Sequence, residues 1–114
     1  MYEWTGSAWA GAGGSAVAIA VDPNGNPWVI NSNHQIYRRV GSGWLLMPGA
    51  ATDIAIGADG AVWVVGTNPT GVGYGVYRWT GSGWVGVGGS AVVIAVDPNG
   101  NPWIINGKTQ IYVH

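Results

Sequence analysis

The chain has 114 residues, 47% of them hydrophobic and only 8% charged, with 21 Gly and 8 Trp but neither Cys nor Phe. That apolar content excludes a disordered chain despite the glycine, and the length suits a single domain. Four Lys and Arg against five Asp and Glu leave a formal charge of −1, too little positive field to hold nucleic acid or an anionic membrane.

Without Cys there is no disulfide framework and no thiolate metal site, and the compartment stays open. The first residues, Met1-Tyr2-Glu3-Trp4-Thr5-Gly6, lack the basic start of a secretory leader. No apolar run approaches the roughly 18 residues of a membrane span. The expectation is a soluble chain that does not insert into membranes.

In chain order, a short strand is expected near Trp9, after the polar turn Thr5-Gly6-Ser7. Val17-Ala18-Ile19-Ala20-Val21 is a β-rich run, strand A, that stops at Asp22-Pro23-Asn24-Gly25, where Asn-Gly is expected to supply the positive φ values of a tight hairpin. Pro27-Trp28-Val29-Ile30-Asn31 returns as strand B, with Pro at a strand start, where it is tolerated. Ser32-Asn33-His34 leads into strand C, Gln35-Ile36-Tyr37-Arg38-Arg39. Gly41-Ser42-Gly43 then opens strand D, Trp44-Leu45-Leu46-Met47, which Pro48-Gly49 is expected to end. No window has the spacing of an amphipathic helix.

The pattern then repeats. Residues 4–37 align without gaps on residues 79–112, with 26 of 34 positions identical. A more divergent copy lies between them, with Trp44, Ile54, Gly60 and Trp63 each 35 residues after Trp9, Ile19, Gly25 and Trp28. The third copy follows the second after 40 residues, so the extra five fall in residues 67–75 and are expected to form a longer loop. The copies run approximately over 4–38, 39–78 and 79–114. Near identity of the first and third points to recent duplication or to deliberate construction from one fragment.

Four short strands recurring every 35 to 40 residues describe an antiparallel β-propeller blade. A β-sandwich would leave one face of each strand polar, whereas strand A is apolar on both. A β-trefoil shares the periodicity and is the weaker alternative. The expected fold is all-β, with three four-stranded blades per chain. Propellers close with about four to eight blades, so a homodimer is expected to complete a six-bladed ring, strand D near Trp9 adding to strands A, B and C of the partner's third copy. On this cut one segment is left over. Tyr2-Glu3-Trp4 and Ile111-Tyr112-Val113-His114 are both strand C candidates for one blade, and one of them is expected to be displaced.

Six of the eight Trp recur once per copy after the A–B turn (Trp28, Trp63, Trp103) or the C–D turn (Trp9, Trp44, Trp84) and are expected to pack between blades. Trp4 and Trp79 have no Trp counterpart in the middle copy, which carries Arg39 at that position, and are less clearly core. Asp22-Pro23-Asn24-Gly25-Asn26 has its Gly too early for a calcium loop and no Glu at position twelve. Gly107-Lys108-Thr109 lacks the glycine-rich approach of a phosphate loop. His34 stands alone, so neither a metal nor a cofactor is expected, and Arg38, Arg39 and Arg78 read as blade-edge residues. Glu3 is the only Glu, and no nucleophile stands beside a base, so an enzyme is not expected.

Where the near-identical copies differ, Ser32-Asn33-His34 is replaced by Gly107-Lys108-Thr109, and the middle copy carries its insertion in that same B–C turn, with Tyr74 near its end. Loops on a rigid scaffold are where binding is usually placed. The candidate glycan site is therefore Asn31, Asn33, His34, Asn106 and Lys108 as hydrogen-bond partners of hydroxyls, with Tyr74 as an apolar platform.

The recurring Gly-x-Trp, Ile-Ala-Val-x-x-x-Gly-x-x-Trp-x-Ile-Asn and Ile-Tyr-Arg resemble the tectonin repeat, through Trp9, Trp44, Trp84, Trp28, Trp63, Trp103, Gly25, Gly60, Gly100, Tyr37, Tyr77 and Tyr112. The resemblance implies a six-bladed propeller and a lectin that recognises lipopolysaccharide or modified sugars on microbial surfaces, though family members carry six or more repeats. The competing expectation is a protein-interaction platform or a symmetric scaffold with no ligand.

Overall fold

The computed structural model describes residues 2–11 and 16–113, and every regular element among them is a strand. In chain order they are β1 (Tyr2–Trp4), β2 (Trp9–Gly11), β3 (Ala18–Val21), β4 (Pro27–Ile30), β5 (Gln35–Val40), β6 (Gly43–Ala50), β7 (Asp53–Ile56), β8 (Val62–Pro69), β9 (Tyr74–Trp79), β10 (Trp84–Gly86), β11 (Val93–Val96), β12 (Pro102–Ile105) and β13 (Ile111–Val113). They form a hairpin β1-β2, two four-stranded sheets β3-β4-β5-β6 and β7-β8-β9-β10, and a three-stranded sheet β11-β12-β13. All pairings are antiparallel. The arrangement is propeller-like and all-β, and it does not close on itself.

The sheets stack face to face, with the A strands β3, β7 and β11 side by side at one edge. Period-two alternation sends Ala18, Ala20, Trp28, Ile30 and Ile36 of the first sheet against Ile54, Val62 and Val64 of the second, with Met47 and Ala51 closing that core. The second sheet turns Ala55, Trp63, Val65 and Val76 toward Ile94, Val96 and Ile104 of the third. Asp53 adds a polar clasp, its Oδ2 accepting from the Ile94 backbone N–H at 2.9 Å.

Four expectations are corrected. The A–B turn is not an Asn-Gly pair with two positive φ values: Gly25 N–H closes on the Asp22 carbonyl at 3.0 Å, and only Gly25 is left-handed, φ 84°. Asp22 Oδ1 makes this possible by taking the Asn24 and Asn26 N–H groups at 2.9 Å each. Strand β6 runs through Pro48-Gly49 to Ala50, because the ladder to β5 bulges there, Met47 standing opposite Ile36 and Ala50 opposite Gln35, so the N–H that proline lacks is not needed. Much of the insertion lengthens β8 and β9 instead of forming a loop, with Pro69 opposite Tyr74 and a turn closed by Thr70 N–H to Gly73 O at 2.8 Å.

The fourth correction concerns the termini. Neither terminal segment is displaced within the single chain, where β1 pairs with β2 and β13 with β12; only in a ring closed by a second copy would the two compete for one place. The described residues thus hold thirteen strands where twelve were expected. A hairpin closed by Thr5 and Ala8 forms locally, at little loop entropy, so strand C is present at the N-terminus without a partner chain. His114, expected to end the C-terminal strand, lies outside the described residues.

Candidate functional site

The expected B–C turn residues have specific fates. Asn31 Oδ1 accepts from the N–H groups of Asn33 (3.0 Å) and Gln35 (2.9 Å), and its Nδ2 donates to Gln35 Oε1 at 2.9 Å. Asn106 repeats this with Lys108, Gln110 and the Gln110 amide at 2.9 to 3.0 Å, and is only 3% exposed. Both amides thus build the turn that carries the variable residues. Asn33, His34 and Lys108 are exposed. Tyr74 is half-buried, packed against the second core, with its backbone paired to Ala91.

The structure brings Tyr74's hairpin and the Asn106–Lys108 turn together, through Gly107 N–H to Val72 O at 2.5 Å. Asn31, Asn33 and His34 share the separate turn of the first sheet, where the Asn31 N–H bonds Gln35 O. The six residues are therefore spread over at least two places.

On the opposite rim, at the A–B and C–D turns, two crevices flank the first sheet. One, about 470 Å3, lies between the first and second sheets and is lined by Asp22, Asn26, Trp28, Arg38, Arg39 and Trp79. The other, about 450 Å3, lies toward the N-terminal hairpin and is lined by Glu3, Asn26, Arg39 and Trp44. Asn26 and Arg39 border both.

Guanidinium groups lie over the indoles in these crevices, Arg38 5.9 Å from the Trp28 ring centroid and Arg39 5.0 Å from Trp44, and in the second sheet, outside both crevices, Arg78 lies 5.7 Å from Trp63. Trp79 meets Trp28 edge-on at 6.3 Å. The result is a rim of hydrogen-bond donors over an aromatic floor, the kind of surface that takes hydroxyls on one side and C–H faces on the other. Sequence reasoning left these arginines as edge residues. The missed signal was their spacing, since Arg38 and Arg78 each lie ten or fifteen residues after a Trp that the neighbouring strand brings alongside.

In the third sheet Val113 repeats Arg38, and Trp103 Nε1 donates instead to Asp97 Oδ2 at 3.1 Å. The Asn101 backbone N–H, then the Trp103 indole, hold the Asp97 carboxyl below the usual carboxylate range, with Asn99 adding to them. Among the described residues no group of three or more His, Cys, Asp or Glu is placed to hold a metal ion. No helix among them is long and apolar enough to cross a membrane.

No curated protein matches the chain as a relative. The family model of the Tectonin domain matches residues 1–74. That span takes in the N-terminal hairpin, the whole first sheet and strands β7 and β8 of the second, with every lining residue of the two crevices named above except Trp79, and the chain belongs to the Tectonin domain family.

Proposed function

We propose that this chain is a non-catalytic, lectin-like module that binds glycans of microbial surfaces, lipopolysaccharide among them, in the inter-blade crevices beside Asn26, Arg38 and Arg39, and that a second copy closes a six-bladed ring around them. The crevice with its arginine rim and Trp79 wall is the observation that carries this reading. Membership of the Tectonin family supports it. Repetition of the crevice on both sides of the first sheet favours several weak sites on one rigid body, which gain by effective concentration on a repetitive surface.

A second set, Asn33, His34 and Lys108, stands exposed on the opposite rim. It serves as the alternative location, with Asn31 and Asn106 shaping the turns and Tyr74 bracing the hairpin beside them. Binding of the chain to a glycan array distinguishes the possibilities. Loss of signal with Asn26→Ala and Arg38→Ala, and its retention with Asn33→Ala and Lys108→Ala, is the expected result. The reverse moves the site to the B–C turns. Absence of binding to sugars, lipopolysaccharide and methylated glycans alike overturns the lectin reading in favour of a protein-interaction platform or a ligand-free scaffold.

A further inference from the structure

Between the second and third sheets lies an apolar cavity of about 420 Å3. The internal repeat reveals what fills the corresponding space one blade earlier. There Trp84 of β10 lies so close that a Cβ added at Gly49 would be 3.1 Å from its ring. Its Nε1 donates to the Pro48 carbonyl at 2.7 Å. Val64 and Tyr77 wall the remaining space of about 260 Å3.

One blade on, the residues repeating Pro48, Gly49, Val64 and Tyr77 are Gly88, Gly89, Ile104 and Tyr112, and all four line the larger cavity. What is missing there is the indole, because β13 has no fourth strand beside it.

We propose that this cavity is the seat of Trp9 from a second copy of the chain. Strand β2 is a fourth strand without a complete blade, and Trp9 is the repeat of Trp84. The hairpin that carries it is built like the one that carries Trp84. Tyr2, Glu3 and Trp4 stand opposite Gly11, Ala10 and Trp9, as Tyr77, Arg78 and Trp79 stand opposite Gly86, Val85 and Trp84. Thr5 Oγ1 donates to Ala8 O at 3.0 Å as Thr80 Oγ1 does to Gly83 O at 3.0 Å.

The strand next to Trp9 carries Tyr112 or the second copy's Tyr2, and both repeat Tyr77, so the wall is tyrosine either way. The two ends of the stack are also the two halves of an interface the chain already makes twice. Trp28 and Trp63 are buried at 5% and 8% where a following sheet covers them, whereas Trp103 is 44% exposed. Ile54 and Ile94 are buried at 4% and 5%, whereas Ile19, their counterpart at the other end, is 58% exposed. A second copy brings Trp103 over Ile19 at each of two equal junctions. Continuity with the internal interfaces is what selects a second copy as the occupant.

This inference rests on the ring reading above, and the experiment separates the two. Sedimentation equilibrium is run on the full chain and on two variants: Trp9→Ala, which removes the plug, and Ile104→Trp, which fills the cavity from within and leaves the N-terminal hairpin untouched. The expected result is a dimer at low micromolar concentration whose dissociation constant each variant raises at least about a hundredfold. Mixing the variants, which reunites an intact Trp9 with an intact cavity once per dimer, restores association. A single-chain mass for the unaltered protein overturns both the ring and the seat. A dimer that both variants leave unchanged, or weakening that mixing does not relieve, overturns the seat alone.

Discussion

At the scale of single residues, the turns depend on a few polar side chains whose roles follow from local geometry. Asp97 accepts backbone N–H groups from Asn99 and Asn101 and the Trp103 indole. Its folded-state pKa is lowered, so its contribution is present above the usual carboxylate value and disappears as pH falls through the depressed one. Asp97→Asn is therefore expected to flatten the acid limb of a stability-against-pH curve below about pH 4, measured by urea unfolding. At the B–C turns, His34 and Thr109 hold φ at 65° and 61°. That region costs an ordinary side chain roughly 1 kcal/mol, and a β-branched one suffers most. Thr109→Gly is expected to raise unfolding free energy by about 0.5–1 kcal/mol, net of the entropy glycine adds to the unfolded chain. The Asn-x-x-x-Gln spacing of these turns stands in the sequence twice, at Asn31 and Gln35 and at Asn106 and Gln110. Its meaning was legible only once each amide was seen to be spent inside the turn.

At the scale of elements, one blade is held to the next by apolar faces and by a tryptophan. Trp84 packs edge-on against Trp79 with ring centroids 4.9 Å apart, and its indole N–H reaches back to Pro48. Trp84→Phe keeps most of the apolar contact and loses that hydrogen bond, an expected cost of about 1 kcal/mol, whereas Trp84→Ala is expected to cost about 3 kcal/mol or more in the same unfolding assay. The inserted hairpin is tied at Gly73 to the segment leading into β11, where an added Cβ would lie 2.7–2.9 Å from the Ala91 backbone. Gly73→Ala should therefore push the hairpin off Ala91 and destabilise by roughly 1–3 kcal/mol, with accelerated hydrogen exchange at the Tyr74 and Ala91 amides, which bond each other's carbonyls. The insertion was visible as five extra residues. Its continuation of β8 and β9 was not, because strand extension depends on what backbone lies opposite.

At the scale of the whole molecule, the stack exposes apolar faces at both ends, with Val17, Ile19 and Val21 at one and Val93, Trp103, Ile111 and Val113 at the other. If a second copy covers them, folding and association are linked, and the unfolding midpoint should rise with protein concentration. Calorimetry over about a hundredfold range of concentration checks this: a midpoint independent of concentration is the signature of a self-sufficient single chain. Repeated strands, turn positions and the propeller-like class were readable from sequence because strand periodicity, proline and glycine act over a few residues, and three copies report the same unit independently. The tertiary structure decided which tryptophans are covered, that Tyr2-Glu3-Trp4 pairs locally, and that Arg38, Arg39 and Asn26 meet beside Trp79 in one crevice. Those outcomes depend on which faces of separate sheets come into contact, and residues far apart in the chain acquire that relation only when the sheets pack.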